Sequence, residues 1–205
     1  MKGYIMHLYH DYETLDVNPI TCITTNAAYV AFDFERFTSD NPYTFEELLD
    51  TIVSFKFLGK EQKELGWSMS KSTLDFWKSL PDDVRQQIYP SEKDRPINEY
   101  VDGLIKYCKK HEIQYWWSQG NNFDCVITKR LFEQAGKNVD TYLPYYGPRD
   151  TRTYLDTRFN FGKYDRKFMP IEGDDLKKFR QHNCVHDVAI DILRIQMVER
   201  ELNGE

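Results

Sequence analysis

Apolar positions along the chain alternate at period two in some stretches and recur at helical spacing in others. The run Tyr4, Ile5, Met6, Leu8 and Tyr9 reads as an opening strand that ends at Asp11 and Glu13. After a turn at 14–19, residues 20–34 predict a second strand, broken or bulged near Asn26. Asp40-Asn41-Pro42 marks another turn. Residues 45–58 are mixed: Glu46 to Leu49 looks helical, but 52–57 alternates, and the prediction is a third strand at 51–57. The polar stretch 60–69 predicts a loop. Helices follow at 70–80, opened by Ser and Thr capping candidates, and at 82–89, with Pro81 suited to its first turn. A loop at 90–95 precedes the cleanest amphipathic helix, 96–111, on which Ile97, Tyr100, Val101, Leu104, Ile105 and Cys108 share one face. Then come a buried strand at 113–117, a helix at 122–135 ended by Gly136, and a last short strand at 142–146. A helix at 149–158, a polar segment at 160–174 and a final helix at 184–202 complete the chain. A strand meander followed by alternating helices and strands implies an α/β fold with a mixed sheet flanked by helices.

The length of 205 residues suits one domain, 1–205, with the helical stretch at about 60–95 as an insertion. The net charge of −6 argues against a protein that coats nucleic acid through bulk electrostatics, yet it suits a cleft whose carboxylates hold cations. Cys22, Cys108, Cys125 and Cys184 lie far apart without zinc-type spacing, and the N-terminus lacks a signal-peptide layout. Reduced thiols and a soluble protein in the cytoplasm, with no membrane partner, are expected.

The candidate chemistry begins with Asp11 and Glu13. Two apart on a strand, they point to one face, where close carboxylates call for a hard divalent cation. The same spacing also suits the solvent face of an edge strand. Asp124 follows Asn121-Asn122-Phe123 where a turn opens a helix, and either a metal or the helix dipole explains it. His182 precedes Asp187 by five residues, with Asn183 as the expected N-cap. A histidine on that loop is suited to take a proton from water.

Two carboxylates at spacing two, an Asp after Asn-Asn-Phe, and a His-x4-Asp at the last helix resemble the motif set of the DEDDh 3′–5′ exonucleases. Ser72 to Lys78, Arg149 to Thr153 and His182 to Asp187 carry a closer resemblance to the exonuclease A (DexA) group of T4-like phages and the related bacterial Rv2179c-type exoribonucleases. The resemblance implies an RNase H-like exonuclease fold with about five strands in the sheet. It also implies that Asp11, Glu13, Asp124 and Asp187 hold two Mg²⁺ or Mn²⁺ ions about 3.5–4 Å apart. His182 would be the base, and the product a nucleoside 5′-monophosphate. The expected partner is a nucleic-acid 3′ end, DNA rather than RNA, with a homodimer as a further expectation and the host cytoplasm as the setting if the chain is phage-encoded. For substrate contacts the candidates are Thr14, Leu15 as a wedge against the last base, Asn121, Phe123, Trp77 by stacking, and Arg149 and Arg152 by phosphate binding. Tyr12 stands where these enzymes usually carry an apolar residue, and His186 and Asp191 are expected outside the ligand set. An exoribonuclease of the same fold, a non-catalytic nucleic-acid binding module and a different metal-dependent hydrolase are the alternatives.

Overall fold

The computed structural model describes residues 5–158 and 169–204. At its centre is β1 (Met6–Thr14), antiparallel to β2 (Thr24–Asp33), which in turn pairs antiparallel with β3 (Val53–Lys56). On its other side β1 runs parallel to β4 (Ile113–Ser118), and β4 parallel to β5 (Pro148–Asp150), giving the order β3-β2-β1-β4-β5. The acidic pair therefore sits on the central strand, not on an edge. The helices are α1 (Phe45–Thr51), α2 (Gly59–Glu64), α3 (Lys71–Ser79), α4 (Asp82–Arg85), α5 (Ile97–His111), α6 (Asp124–Gln134), α7 (Thr151–Arg158), α8 (Gly173–Lys178) and α9 (Cys184–Leu202). Among the described residues no helix is long and apolar enough to cross a membrane.

Strand alternation assigns the two faces. Leu8 and Tyr12 pack with α5 and α6, whereas Tyr9 packs against α9 with Val188, Ile192 and Ile195. Asp11 and Glu13 continue the Tyr9 face beyond the point where apolar packing ends. Tyr12 turns into the opposite core, its hydroxyl bonded to those of Tyr100 (2.7 Å) and Thr128 (2.8 Å). The polar atom that set Tyr12 apart is thus satisfied away from the carboxylates. All four cysteines are buried and free.

The expected bulge is present: Glu13 pairs with Asn26 and Thr14 with Thr24, leaving Thr25 as the extra residue. The bulge also explains a departure from the expected loop at 60–69. Gln62 on α2 is buried, accepting from the Thr24 backbone N–H (2.7 Å) and donating to its carbonyl (2.8 Å). That tertiary anchor orders a helix in a polar stretch. Residues 45–51 form α1, capped by Thr44, so β3 is shorter than predicted.

The last strand is at Pro148–Asp150, not 142–146, where Tyr145 and Tyr146 are exposed. The Gly147 N–H bonds the Pro144 carbonyl in a turn, and only beyond it does the chain join the sheet. A Cβ at Gly147 would lie 2.9 Å from the carbonyls of Gln114 and Pro144 and from the Trp116 ring. Gly147→Ala is expected to destabilise the fold by about 2 kcal/mol, lowering the melting temperature by roughly 4–8 °C. An unchanged melting curve would show that the turn relaxes freely. Part of the polar segment at 160–174 lies outside the described residues; α8 starts at its end and carries Asp174 and Asp175 in its first turn and Lys177 and Lys178 in its last, as the helix dipole favours.

Candidate active site

β4 ends one residue past the Tyr9–Trp117 pair while its parallel neighbour β1 runs on to Thr14, and a cleft of about 990 Å³ opens beside that overhang. Strand carboxyl ends are where open α/β sheets bind ligands. Asp11 and Glu13 enter it from β1. Asp187 enters from the first turn of α9, whose start is fixed by Asn183 accepting from the N–H groups of Val185 and His186. One carboxylate oxygen each from Asp11, Glu13 and Asp187 lies within 4.8 Å of the others. Asp124, the first residue of α6, lines the same cleft but stands outside that trio.

The turn that delivers Asp124 is built on Gly120, whose φ of 127° favours glycine, and whose carbonyl accepts from Phe123 N (2.8 Å) and Asp124 N (3.2 Å). Asp150 secures it from β5: its carboxylate accepts from Asn121 N (3.0 Å) and from Thr153 N (2.9 Å). Asp150 thus ties β5 to the α6 turn.

Electrostatically the cleft concentrates negative charge that Arg152 and Arg194 offset only in part. Burial, then the charges of Asp124, Glu13, Asp187 and Asp191, push the Asp11 carboxyl well above the usual carboxylate range. Burial, then the charges of Asp187 and Asp124, raise Glu13. Burial, then Asp191, lift Asp124 to about 7, with Arg152 opposing, and Asp187 to about 8, with the His182 backbone N–H and Arg194 opposing. Clustered hard oxygen donors that hold protons this tightly fit divalent cations, which would replace those protons. Burial lowers the His182 imidazole below its ordinary value, so the ring is neutral at neutral pH.

Asp11, Glu13, Asp124, His182, Asp187, Phe123 and Arg152 line the cleft. Thr14, Trp77 and Phe123 meet in an adjoining groove of about 340 Å³. Trp77 is only 2% exposed and donates from Nε1 to the Thr14 carbonyl (2.9 Å), so its indole braces the strand end and offers no open face for stacking. Three candidates for substrate contact lie elsewhere. Leu15 is bound through its backbone to Ile23 and Ser70. The Asn121 side-chain amide is spent on the Arg149 carbonyl and Ser118 Oγ, to each of which its nitrogen donates at 3.0 Å. Arg149 stacks over Tyr115 at 4.2 Å and bonds the Tyr146 carbonyl.

Two further residues line these cavities. Val17, 74% exposed, lines both cavities, and Phe76, 42% exposed, lines the groove. An apolar residue inside the polar turn Asp16-Val17-Asn18 was the available signal for Val17. Asp191 is buried, not superficial: it accepts from Tyr9 Oη (2.7 Å), Gln119 Nε2 (3.0 Å) and Arg194 (2.7 Å) behind the cage.

A five-stranded RNase H-like sheet with this acidic cleft at its carboxyl ends defines a hydrolase of the DEDDh 3′–5′ exonuclease type. The profile of the Rv2179c-like 3′–5′ exoribonuclease domain matches residues 6–191, and the chain belongs to that family. An exodeoxyribonuclease of Enterobacteria phage T4 is 29% identical over 216 residues, covering 95% of this chain and 89% of the relative. Among solved structures, the zinc-bound E. coli exonuclease I–ssDNA complex superposes with a TM-score of 0.63 at 13% identity, over 98% of this chain and 42% of that one. Exonuclease I from Methylocaldum szegediense gives 0.60 at 14% identity, over 97% and 41%. These two show the fold alone, and this chain spans about two fifths of their length.

Proposed function

We propose that the protein is a two-metal-ion 3′–5′ exodeoxyribonuclease that shortens a DNA strand from its 3′ end, releasing nucleoside 5′-monophosphates. The observation that carries this reading is the convergence of Asp11, Glu13 and Asp187 within 4.8 Å, with Asp124 and His182 in the same cleft. Asp11, Glu13, Asp124 and Asp187 would hold two Mg²⁺ or Mn²⁺ ions. When bound, such ions supply Lewis-acid activation of water and phosphate and neutralise developing charge.

The chain's own residues do the rest. A ring nitrogen of His182, neutral through burial, takes the proton of the attacking water and passes it to solvent. Arg152 brings a fixed positive charge beside Asp124, placed to meet a phosphate. Val17, Phe123 and Phe76 form apolar walls against which the terminal bases can rest. The phage relative favours DNA; the family description favours RNA, the second reading.

Digestion of 3′- and 5′-labelled ssDNA, dsDNA and RNA oligonucleotides with Mg²⁺, Mn²⁺ or EDTA tests both. Stepwise loss from the 3′ end, metal-dependent and faster on DNA, is expected. Activity surviving EDTA, or release from the 5′ end, would overturn the mechanism; faster RNA digestion would overturn only the choice of substrate.

A further inference from the structure

His182 has a φ of 62°, in the left-handed region that a side chain makes sterically costly. Such a conformation persists only where the surroundings impose it. Three contacts do so here. The His182 carbonyl accepts a hydrogen bond from Gln87 Nε2, in the 3₁₀ turn Gln86–Ile88 that follows α4. The His182 imidazole stands edge-on to Phe76, centroids 4.9 Å apart at 90°. The His182 N–H faces the Asp187 carboxyl. Of the three, only the Gln87 contact grips the backbone from another part of the fold.

Gln87 is itself fixed to the metal-binding strand pair. The Asn26 side-chain amide, with its nitrogen turned toward the turn, donates to the Gln87 carbonyl at 3.1 Å. Asn26 is the cross-strand partner of Glu13, immediately beside the bulge. A continuous path thus runs from Glu13 across the sheet to Asn26, to Gln87, and to His182. A second tie, Arg180 to Asp83 (2.7 Å), joins the same loop to α4, but both groups are well exposed and such pairs contribute little.

We infer that Gln87 is a positioning residue: it holds the His182 backbone in its left-handed conformation and, through Asn26, in register with Glu13. The inference rests on the reading of His182 as the base. An amide is needed because the group gripped is a carbonyl, which accepts and does not donate. A carboxylate of the same shape would repel it.

The test compares steady-state kinetics on a 3′-labelled single-stranded oligonucleotide for the wild type, Gln87→Glu, His182→Ala and the double variant. Gln87→Met, an apolar near-isostere, stands in should the glutamate variant fail to fold. A positioned general base contributes roughly 10²–10⁴-fold, and a displaced one is expected to forfeit about 10- to 100-fold of that in kcat, with KM within about twofold. In the His182→Ala background the Gln87 substitution should change kcat less than about twofold, since the imidazole that the contact positions is already gone. Mn²⁺ affinity by calorimetry should match the wild type. An unchanged kcat in the single variant, an equal loss in both backgrounds, or a loss that tracks weakened Mn²⁺ binding would overturn the inference. Wild-type turnover in His182→Ala would instead overturn the base assignment, and this inference with it.

Discussion

Asp187→Asn is expected to abolish cleavage while raising the melting temperature of the metal-free protein at pH 8. The asparagine keeps the shape of the side chain but presents a neutral oxygen. A bound cation supplies several kcal/mol of transition-state charge stabilisation; losing about 4 kcal/mol is about a thousandfold in rate. The same substitution removes a charge that raises both Asp11 and Glu13, in a cluster where Arg152 and Arg194 offset only part of the repulsion. Lost activity with gained stability separates a functional carboxylate from a structural one. Asp11→Asn, Glu13→Gln and Asp124→Asn should behave alike, read by labelled-oligonucleotide turnover and by melting in EDTA. Turnover within tenfold of the wild type in any of them would remove that residue from the site, and a lowered melting temperature would contradict the crowding of charge.

Metal-free protein is expected to lose stability as pH rises from 6.5 to 8.5, and added Mg²⁺ or Mn²⁺ to restore it. The folded state raises Asp124 to about 7 and Asp187 to about 8, from an ordinary value of 3.8. A carboxyl raised by folding favours the folded state while it keeps its proton, and that contribution vanishes as pH rises through the folded value. Buried histidines act in the opposite sense: His7 and His10, lowered to about 4, favour folding above their ordinary 6.5 and weaken it only as the medium turns acid. Above pH 6.5 the carboxylates therefore dominate. A loss of several kcal/mol is reached over these two units, about ten degrees in melting temperature for a chain of this size. Cations binding only the folded cage reverse it by mass action. A flat profile in EDTA, or no recovery with metal, would sink the account.

Much of the site was legible because its signals are local. Spacing two on a strand puts Asp11 and Glu13 on one face whatever the remainder of the chain does. Asn183 caps α9, and Asp187 falls in its first turn, because an asparagine side chain satisfies the free N–H groups there. The amphipathic helix at Ile97–His111 followed from its own periodicity. Substrate contacts were less legible. Trp77 could have stacked on a base or joined the core, and only the carbonyl of Thr14, a distant partner, decided for the core. Leu15 and Val17 are both apolar residues near the motif; the anchoring of Leu15 to Ile23 and Ser70 leaves Val17 as the one that projects.

By itself, then, the sequence determined the chemical types and the local geometry: two carboxylates on a strand end, two more opening helices, a histidine just ahead of one of them. Only the tertiary structure decided that Asp11, Glu13 and Asp187 converge with Asp124 in the same cleft, that Gln62 orders a helix by answering the bulge in β2, and that Gln87 reaches across 95 residues of chain to hold His182. The physical reason is the range of each interaction. Periodicity and capping act within a few residues, so they are written in neighbouring letters. A hydrogen bond between distant segments depends on how the sheet, its bulge and the covering helices bring those segments together, and no short stretch of sequence carries that.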